Sequence, residues 1–203
     1  LALVLAGTLA TPAAYAQEED DDRKQREERR VLKAEDLSKQ ELSEEYRRLA
    51  RQKRHQEMDF AKELLSSGRL HGETKAEMML RLADLYFQQG RYLYLTEMAA
   101  FDVEYDRCFN DENCNPGSMA PDNEGSRVWQ SKSIKLYRAI LKNYPRYARA
   151  DQATFYLGSA LADMGDESYV EAYKKLVKLY PQSDFVPDGY VQIGEYYFDN
   201  NNA

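Results

Sequence analysis

An all-α fold is predicted by three features of this 203-residue chain. From Thr74 onward, apolar residues recur at three- and four-residue spacing, the period of one helix face. No stretch alternates apolar and polar residues, so no sheet is expected. The chain also matches itself at a shift of 36 residues, with two helical segments per unit. That is the mark of a helical solenoid built from helix hairpins.

The first element is an export signal. Residues 1–16, LALVLAGTLATPAAYA, carry no charge. The apolar run Leu1 to Ala10 has signal-peptide length and is too short to span a bilayer. Ala14-Tyr15-Ala16 reads as an A-x-A cleavage site followed at once by the acidic QEEDDD, so cleavage is expected after Ala16. A positive n-region is missing and Leu stands where Met is expected, so a few residues are expected to precede the chain. Leu5-Ala6-Gly7 resembles the start of a lipobox, but Thr8 stands where acylation needs Cys, and no lipid anchor is expected. The bacterial periplasm is the compartment this segment implies.

A charged arm follows over 17–72. Acids and bases nearly balance, and pairs such as Glu19–Arg23, Asp22–Arg26 and Glu44–Arg48 stand four apart with the acid first, which supports a helix. Apolar residues are sparse. Leu42 to Leu49 makes one heptad step and Gln56 breaks the next. A solvated, partly frayed helix is expected, with a coiled-coil oligomerisation stalk through 17–65 as the alternative. Ser66-Ser67-Gly68 closes the helical run.

Beyond it, Met78, Met79, Leu82, Leu85 and Tyr86 make the apolar face of a helix that starts at Thr74 and ends at Gly90. A second helix is expected over 92–105. Residues 107–125 hold Pro, Gly and the CFNDENC segment and read as a long loop. Four more helices are expected over 126–144, 148–164, 167–180 and 184–199, stopped in turn by Pro145, Gly165, Pro181 and the Asn-rich end. Cys108 and Cys114 form a disulfide if the compartment is oxidising, or remain free thiols. With two Cys and the distant His55 and His71, no metal is expected.

The repeat itself is specific. At the 36-residue shift Tyr137 falls on Tyr173, Ile140 on Leu176, Tyr144 on Tyr180 and Pro145 on Pro181. Leu157-Gly158 falls on Ile193-Gly194. A weaker copy upstream, Leu82-Ala83-x-x-Tyr86 with Gly90, parallels Leu157-Gly158-x-x-Leu161 with Gly165. One hairpin cannot bury its own apolar faces, so stacked hairpins complete a shared core. The repeats cover 73–203 as units over about 74–145, 146–181 and 182–203. The first carries an insertion over 92–130, and the last lacks its second helix. Tyr190, Val191, Ile193, Tyr196, Tyr197 and Phe198 would then be uncovered, and the natural protein is expected to continue past Ala203.

These residues (Leu157, Gly158, Leu161, Tyr173, Leu176, Pro181, then Ile193, Gly194, Tyr197) resemble the tetratricopeptide repeat family. The lengthened units closed by Tyr-Pro are similar to those of periplasmic proteins of the BamD and YbgF type. RYLYLTEM and GEYYFDNN are similar to segments of myxobacterial envelope tetratricopeptide proteins, gliding-motility proteins among them. The unit departs from the family in being about two residues longer, and bulky Tyr169 stands where a small residue is usual. The resemblance implies a right-handed solenoid of antiparallel hairpins and a concave peptide groove. Carried over by position, that groove would present Asp84, Phe87 and Gln88, then Phe155, Ser159 and Asp163, then Val191, Glu195, Phe198 and Asp199. Such a surface favours extended segments with basic and apolar side chains. The alternative is that Phe155 and Phe198 simply pack between hairpins.

Composition narrows the function further. Charged residues make up 31 % and the net charge is −7, so phosphate backbones are repelled and no nucleic-acid partner is expected. No phosphate-cradling loop, nucleophile elbow or H-E-x-x-H motif is present, and the Asn110–Asn115 cluster lacks calcium-loop spacing. The expectation is a periplasmic scaffold that catalyses nothing, needs no cofactor, spans no membrane and docks envelope proteins or peptides. Self-association through the arm, or a docking role for an enzyme domain beyond residue 203, are the alternatives.

Overall fold

A computed structural model describes residues 43–201. The signal-type segment 1–16 and the arm over 17–42 lie outside the described residues. The described chain is all helical, with no strand. Its helices are α1 (43–66), α2 (Gly72–Phe109), α3 (Glu124–Asn143), α4 (Ala150–Asp163), α5 (Tyr169–Leu179) and α6 (Val186–Asn201). A short 3-10 turn, Pro116–Ser118, interrupts the loop between α2 and α3. No helix among the described residues is long and apolar enough to cross a membrane.

The chain divides into two compact units at Gln52 and Lys53. What is described of the first, 43–52, is the exposed start of α1, where Arg48 and Glu45 pair at 3.7 Å. In the second unit, residues 53–66 of the expected arm are part of a packed body. Met58 and Ala61 of α1 are fully buried against Leu82 and Leu85 of α2, with Met78, Tyr86 and Trp129 around them.

The main core joins α2 to α5. Leu80 and Ala83 of α2 meet Ile134, Tyr137 and Ile140 of α3, then Leu157 and Leu161 of α4 and Ala172 of α5. Tyr137, Tyr173, Ile140 and Leu176 are almost wholly removed from solvent. Each such side chain contributes ~1.5–3 kcal/mol through burial. From α2 on, each helix packs chiefly on its neighbours in the chain.

Two expected boundaries are corrected. Gly90 does not end a helix, and 92–105 is not a separate one, because α2 runs unbroken to Phe109. Gly90 instead serves packing: a Cβ there would sit 3.0 Å from the Gln130 side chain of α3. The helical parts of the expected insertion are therefore the second half of α2 and the first turns of α3, and the irregular part shrinks to 110–123. Cys108, in the last turn of α2, is joined to Cys114 of this segment by a disulfide, with Cα atoms 5.2 Å apart. Gly165, by contrast, does stop α4. It takes φ +69°, open to glycine without steric cost, and the Asp166 N–H reaches back to the Leu161 carbonyl at 2.9 Å.

The 36-residue repeat is written into the backbone. Tyr144 ends α3 at φ −131°, ψ 61°, and Tyr180 ends α5 at φ −128°, ψ 57°. Tyr144 N–H donates to Ile140 O at 2.8 Å, and Tyr180 N–H to Leu176 O at 2.9 Å. Past the prolines, Tyr147 N–H donates to Tyr144 O at 3.0 Å and Ser183 N–H to Tyr180 O at 2.9 Å. Proline has no N–H to continue the helical ladder, so both segments turn at the same place.

Candidate functional site

Three helices each contribute a stripe to one cleft of about 350 Å³. Phe87 and Arg91 stand four apart on α2. Phe155, Ser159 and Asp163 stand at successive fours on α4, so they share one face. Asp188, Val191 and Gln192 come from the first turns of α6, and Tyr173 of α5 closes the side.

The aromatic wall is firmly held. Phe155 stacks on Phe185, with centroids 4.8 Å apart and planes at 20°, and tilts toward Tyr173 at 5.7 Å. Phe87 packs against Tyr156 at 5.7 Å. Phe87 and Phe155 thus bridge between helices while lining the cleft, whereas Phe198 is exposed and does not line it. Ser159 Oγ–H donates to the Phe155 carbonyl at 3.3 Å, and the Tyr173 hydroxyl lies 3.1 Å from Ser159 Oγ.

Charge is concentrated at one end. Asp163 Oδ2 accepts from Gln130 Nε2 at 3.0 Å and faces Arg91 Nε at 3.9 Å. Burial raises the Asp163 carboxyl above its ordinary value, and Arg91 and Gln130 pull it back down. The Arg91 guanidinium also lies 5.9 Å from the Phe87 ring centre. Arg91, Ala162 and Asp163 are at the same time the wall of a second cavity of about 320 Å³. Its other sides are Tyr94 and Leu95 of α2 with Ser126, Arg127 and Gln130 of α3. The expected insertion 92–130 therefore borders the cleft through this shared wall.

Of the groove residues inferred from sequence, Phe87, Phe155, Ser159, Asp163 and Val191 meet at the cleft. Asp84 does not line it. Its carboxylate accepts from the Tyr137 hydroxyl at 2.7 Å and from Gln152 Nε2 at 3.3 Å, which ties it between helices, and burial raises its carboxyl. Gln88 is exposed and off the cleft. Glu195 lies beyond it, bonded to Gln192 at 2.8 Å, and Asp199 and Phe198 are exposed further along α6. Arg91, Tyr173 and Asp188 also line the cleft, Tyr173 being expected only as a repeat residue. Tyr173 reaches the cleft only because Gly158 lets α5 approach: a Cβ on Gly158 would fall 2.8 Å from the Tyr173 ring.

The cleft can hold an apolar side chain against Phe87, Phe155 and Val191, with a cation beside Asp188. Among the described residues no group of three or more His, Cys, Asp or Glu is placed to hold a metal ion. Compared with family models, curated proteins and solved structures, the chain matches none.

Proposed function

We propose that this chain is an exported tetratricopeptide-type scaffold of the bacterial envelope that binds extended segments of partner proteins and catalyses no reaction. Its helices are read as antiparallel hairpins of a right-handed solenoid, with α2, α4 and α6 lining the concave side. The observation that carries this reading is the cleft itself. Phe155 and Val191, which hold the same place in successive units 36 residues apart, meet with Phe87 and Ser159 at one open groove. Aromatic and aliphatic walls beside Asp188 favour segments with apolar and basic side chains. The signal-like residues 1–16 support export, and outer-membrane construction, transport and gliding motility are the envelope processes such a scaffold serves.

The test is direct binding. A fluorescein-labelled peptide of alternating lysine and leucine should bind the protein saturably. Asp188→Lys and Val191→Glu, both at exposed positions, should weaken that binding at least tenfold. Undiminished binding by both variants, with their helix content intact, would sink the groove reading. Fractionation of the native host should place the mature chain in the periplasm, and a cytoplasmic chain with an intact N-terminus would refute export.

A second reading, self-association through the arm, draws on Tyr46, Leu49 and Phe60, which stand exposed along α1. Sedimentation of the whole chain at rising concentration decides it, since a monomer throughout ends that reading.

A further inference from the structure

Charge is sorted by helix. α3 carries Arg127, Lys132, Lys135, Arg138 and Lys142 against the single acid Glu124. α5 carries Lys174, Lys175 and Lys178 against Glu171. α4 and α6 hold acids and no base: Asp151 and Asp163 on one, Asp188, Glu195 and Asp199 on the other. Among these four helices every cation lies on α3 or α5.

Those two helices border a second cleft, of about 460 Å³, floored by α4. Leu157 and Leu161 form the floor. They project about 150° around the α4 axis from Phe155, Ser159 and Asp163, so this cleft opens on the other side of the helix. Leu141 and Pro145 make one apolar wall, and Ala172 and Leu179 the other. Leu179 stands at the lip with 61 % of its surface in solvent. The volume lies in the range of about 300–1,000 Å³ usual for ligand sites.

The rim is positive. Arg138 of α3 and Lys175 of α5 are exposed and line the cleft from opposite sides. Two carboxylates face them. Glu171 lines the cleft, and its carboxylate pairs with Lys174 at 2.9 Å. Asp166, close enough to Arg138 to be stabilised by it, accepts from the Ser168 N–H at 3.0 Å. Each carboxylate is engaged within its own segment, Glu171 by Lys174 and Asp166 by the Ser168 N–H.

We infer that the cleft between α3 and α5 is a second docking site, and that its partner is a short acidic, amphipathic segment of another protein. Leucine- or phenylalanine-type side chains enter between Leu157, Leu161 and Leu179, and flanking carboxylates meet Arg138 and Lys175. Apolar burial supplies the affinity, and the basic rim supplies the choice of partner and the rate of encounter. The site is independent of the α2–α4–α6 groove and has the opposite charge preference.

The experiment uses the full chain and two labelled peptides of equal length, leucine and phenylalanine alternating with glutamate in one and with lysine in the other. The acidic peptide should bind saturably, and added salt should weaken it. Arg138→Glu with Lys175→Glu should reduce its affinity at least tenfold, Leu179→Ser several-fold, and Val191→Glu not at all. The lysine peptide should not displace it. Circular dichroism checks that the variants remain helical. If the double variant is unfolded, the Leu179→Ser and Val191→Glu contrast alone decides. No saturable binding, loss on Val191→Glu, or indifference to both cleft variants overturns the inference. So does binding of phosphatidylglycerol vesicles through Arg138 and Lys175 without binding of the peptide.

Discussion

The Tyr137 hydroxyl donates to Asp84 Oδ1 at 2.7 Å, and one repeat further on Tyr173 makes the corresponding contact with Ser159 at 3.1 Å. In both, a buried tyrosine of one helix is tied to the residue that follows the small Ala83 or Gly158 on its neighbour. A tyrosine suits this place because its ring fills the seam while its hydroxyl finds a partner.

The two contacts should differ in weight. Removing the hydroxyl in Tyr137→Phe leaves the Asp84 carboxylate, already desolvated, with Gln152 at 3.3 Å. A hydrogen bond to a charged group is worth ~1.5–3 kcal/mol, a neutral one ~0.5–1.5. Urea unfolding should show Tyr137→Phe more destabilised than Tyr173→Phe, because Ser159 keeps its bond to the Phe155 carbonyl. Equal losses would mean that Asp84 is not charged in the fold.

Asp84 also predicts a pH dependence. Burial raises its folded carboxyl above the ordinary value of 3.8, outweighing the lowering by Tyr137, Arg149 and Arg81. A group with a raised folded pKa stabilises fully below its unfolded pKa, and that contribution is lost as pH rises through the folded value. Asp84→Asn can still accept the Tyr137 hydroxyl and does not ionise. Its stability relative to the native chain should therefore climb from about pH 4 upward and level off once Asp84 is fully charged. Asp163 shifts in the same direction but is present in both proteins and cancels. Chemical denaturation at stepped pH gives the difference directly, and a flat or falling one contradicts the assignment.

How far the sequence could be read depended on whether a residue's role is local. Tyr144-Pro145 and Tyr180-Pro181 act within their own turns, and both ends fall where the sequence puts them. Gly165 is local too. Gly90 is not: its neighbour is Gln130, on another helix, and nothing in the spacing around Gly90 reveals that. Met58 is one of few apolar residues in a charged stretch of sequence, and its partners Leu82 and Leu85 are distant along the chain. The same divide runs through the cleft. The α4 stripe of Phe155, Ser159 and Asp163 follows from helical period, whereas Arg91 joins it through an ion pair and Tyr173 through a close helix approach.

The first turn of α3 is capped from a distance. Its N-cap residue, Asn123, makes no side-chain cap bond, and Glu97 of α2 accepts from the Ser126 N–H at 3.0 Å. The carboxylate also sits where the N-terminal end of the helix dipole favours negative charge. A Cβ on Gly125 would fall 2.6 Å from Glu97 Oε1, so glycine keeps the approach open. Glu97→Ala should cost ~0.5–2 kcal/mol, the usual worth of a cap. Gly125→Ala should cost a similar amount. The double variant should cost less than the sum, because both remove one contact. Additive losses in thermal or urea unfolding would separate Gly125 from the cap.

Two glycines one repeat apart should respond to alanine with opposite signs. Alanine is better than glycine inside a helix by about 0.8–1.0 kcal/mol. At Gly194 on α6 a Cβ meets nothing within 4 Å, so Gly194→Ala should gain most of that amount. At Gly158 on α4 the Cβ would lie 2.8 Å from the Tyr173 ring. That ring is 2 % exposed and its hydroxyl is held near Ser159, so it has little room to retreat. Overpacking a core costs ~1–3 kcal/mol, more than the helical gain, and Gly158→Ala should be net destabilising. Adding Tyr173→Leu should recover part of the loss in Gly158→Ala and leave the gain in Gly194→Ala unchanged. Thermal unfolding of the two single variants and both doubles measures this. If Gly158→Ala is as stabilising as Gly194→Ala, α4 and α5 are not in close contact at this point, and the hairpin seam on which the groove depends is wrongly placed.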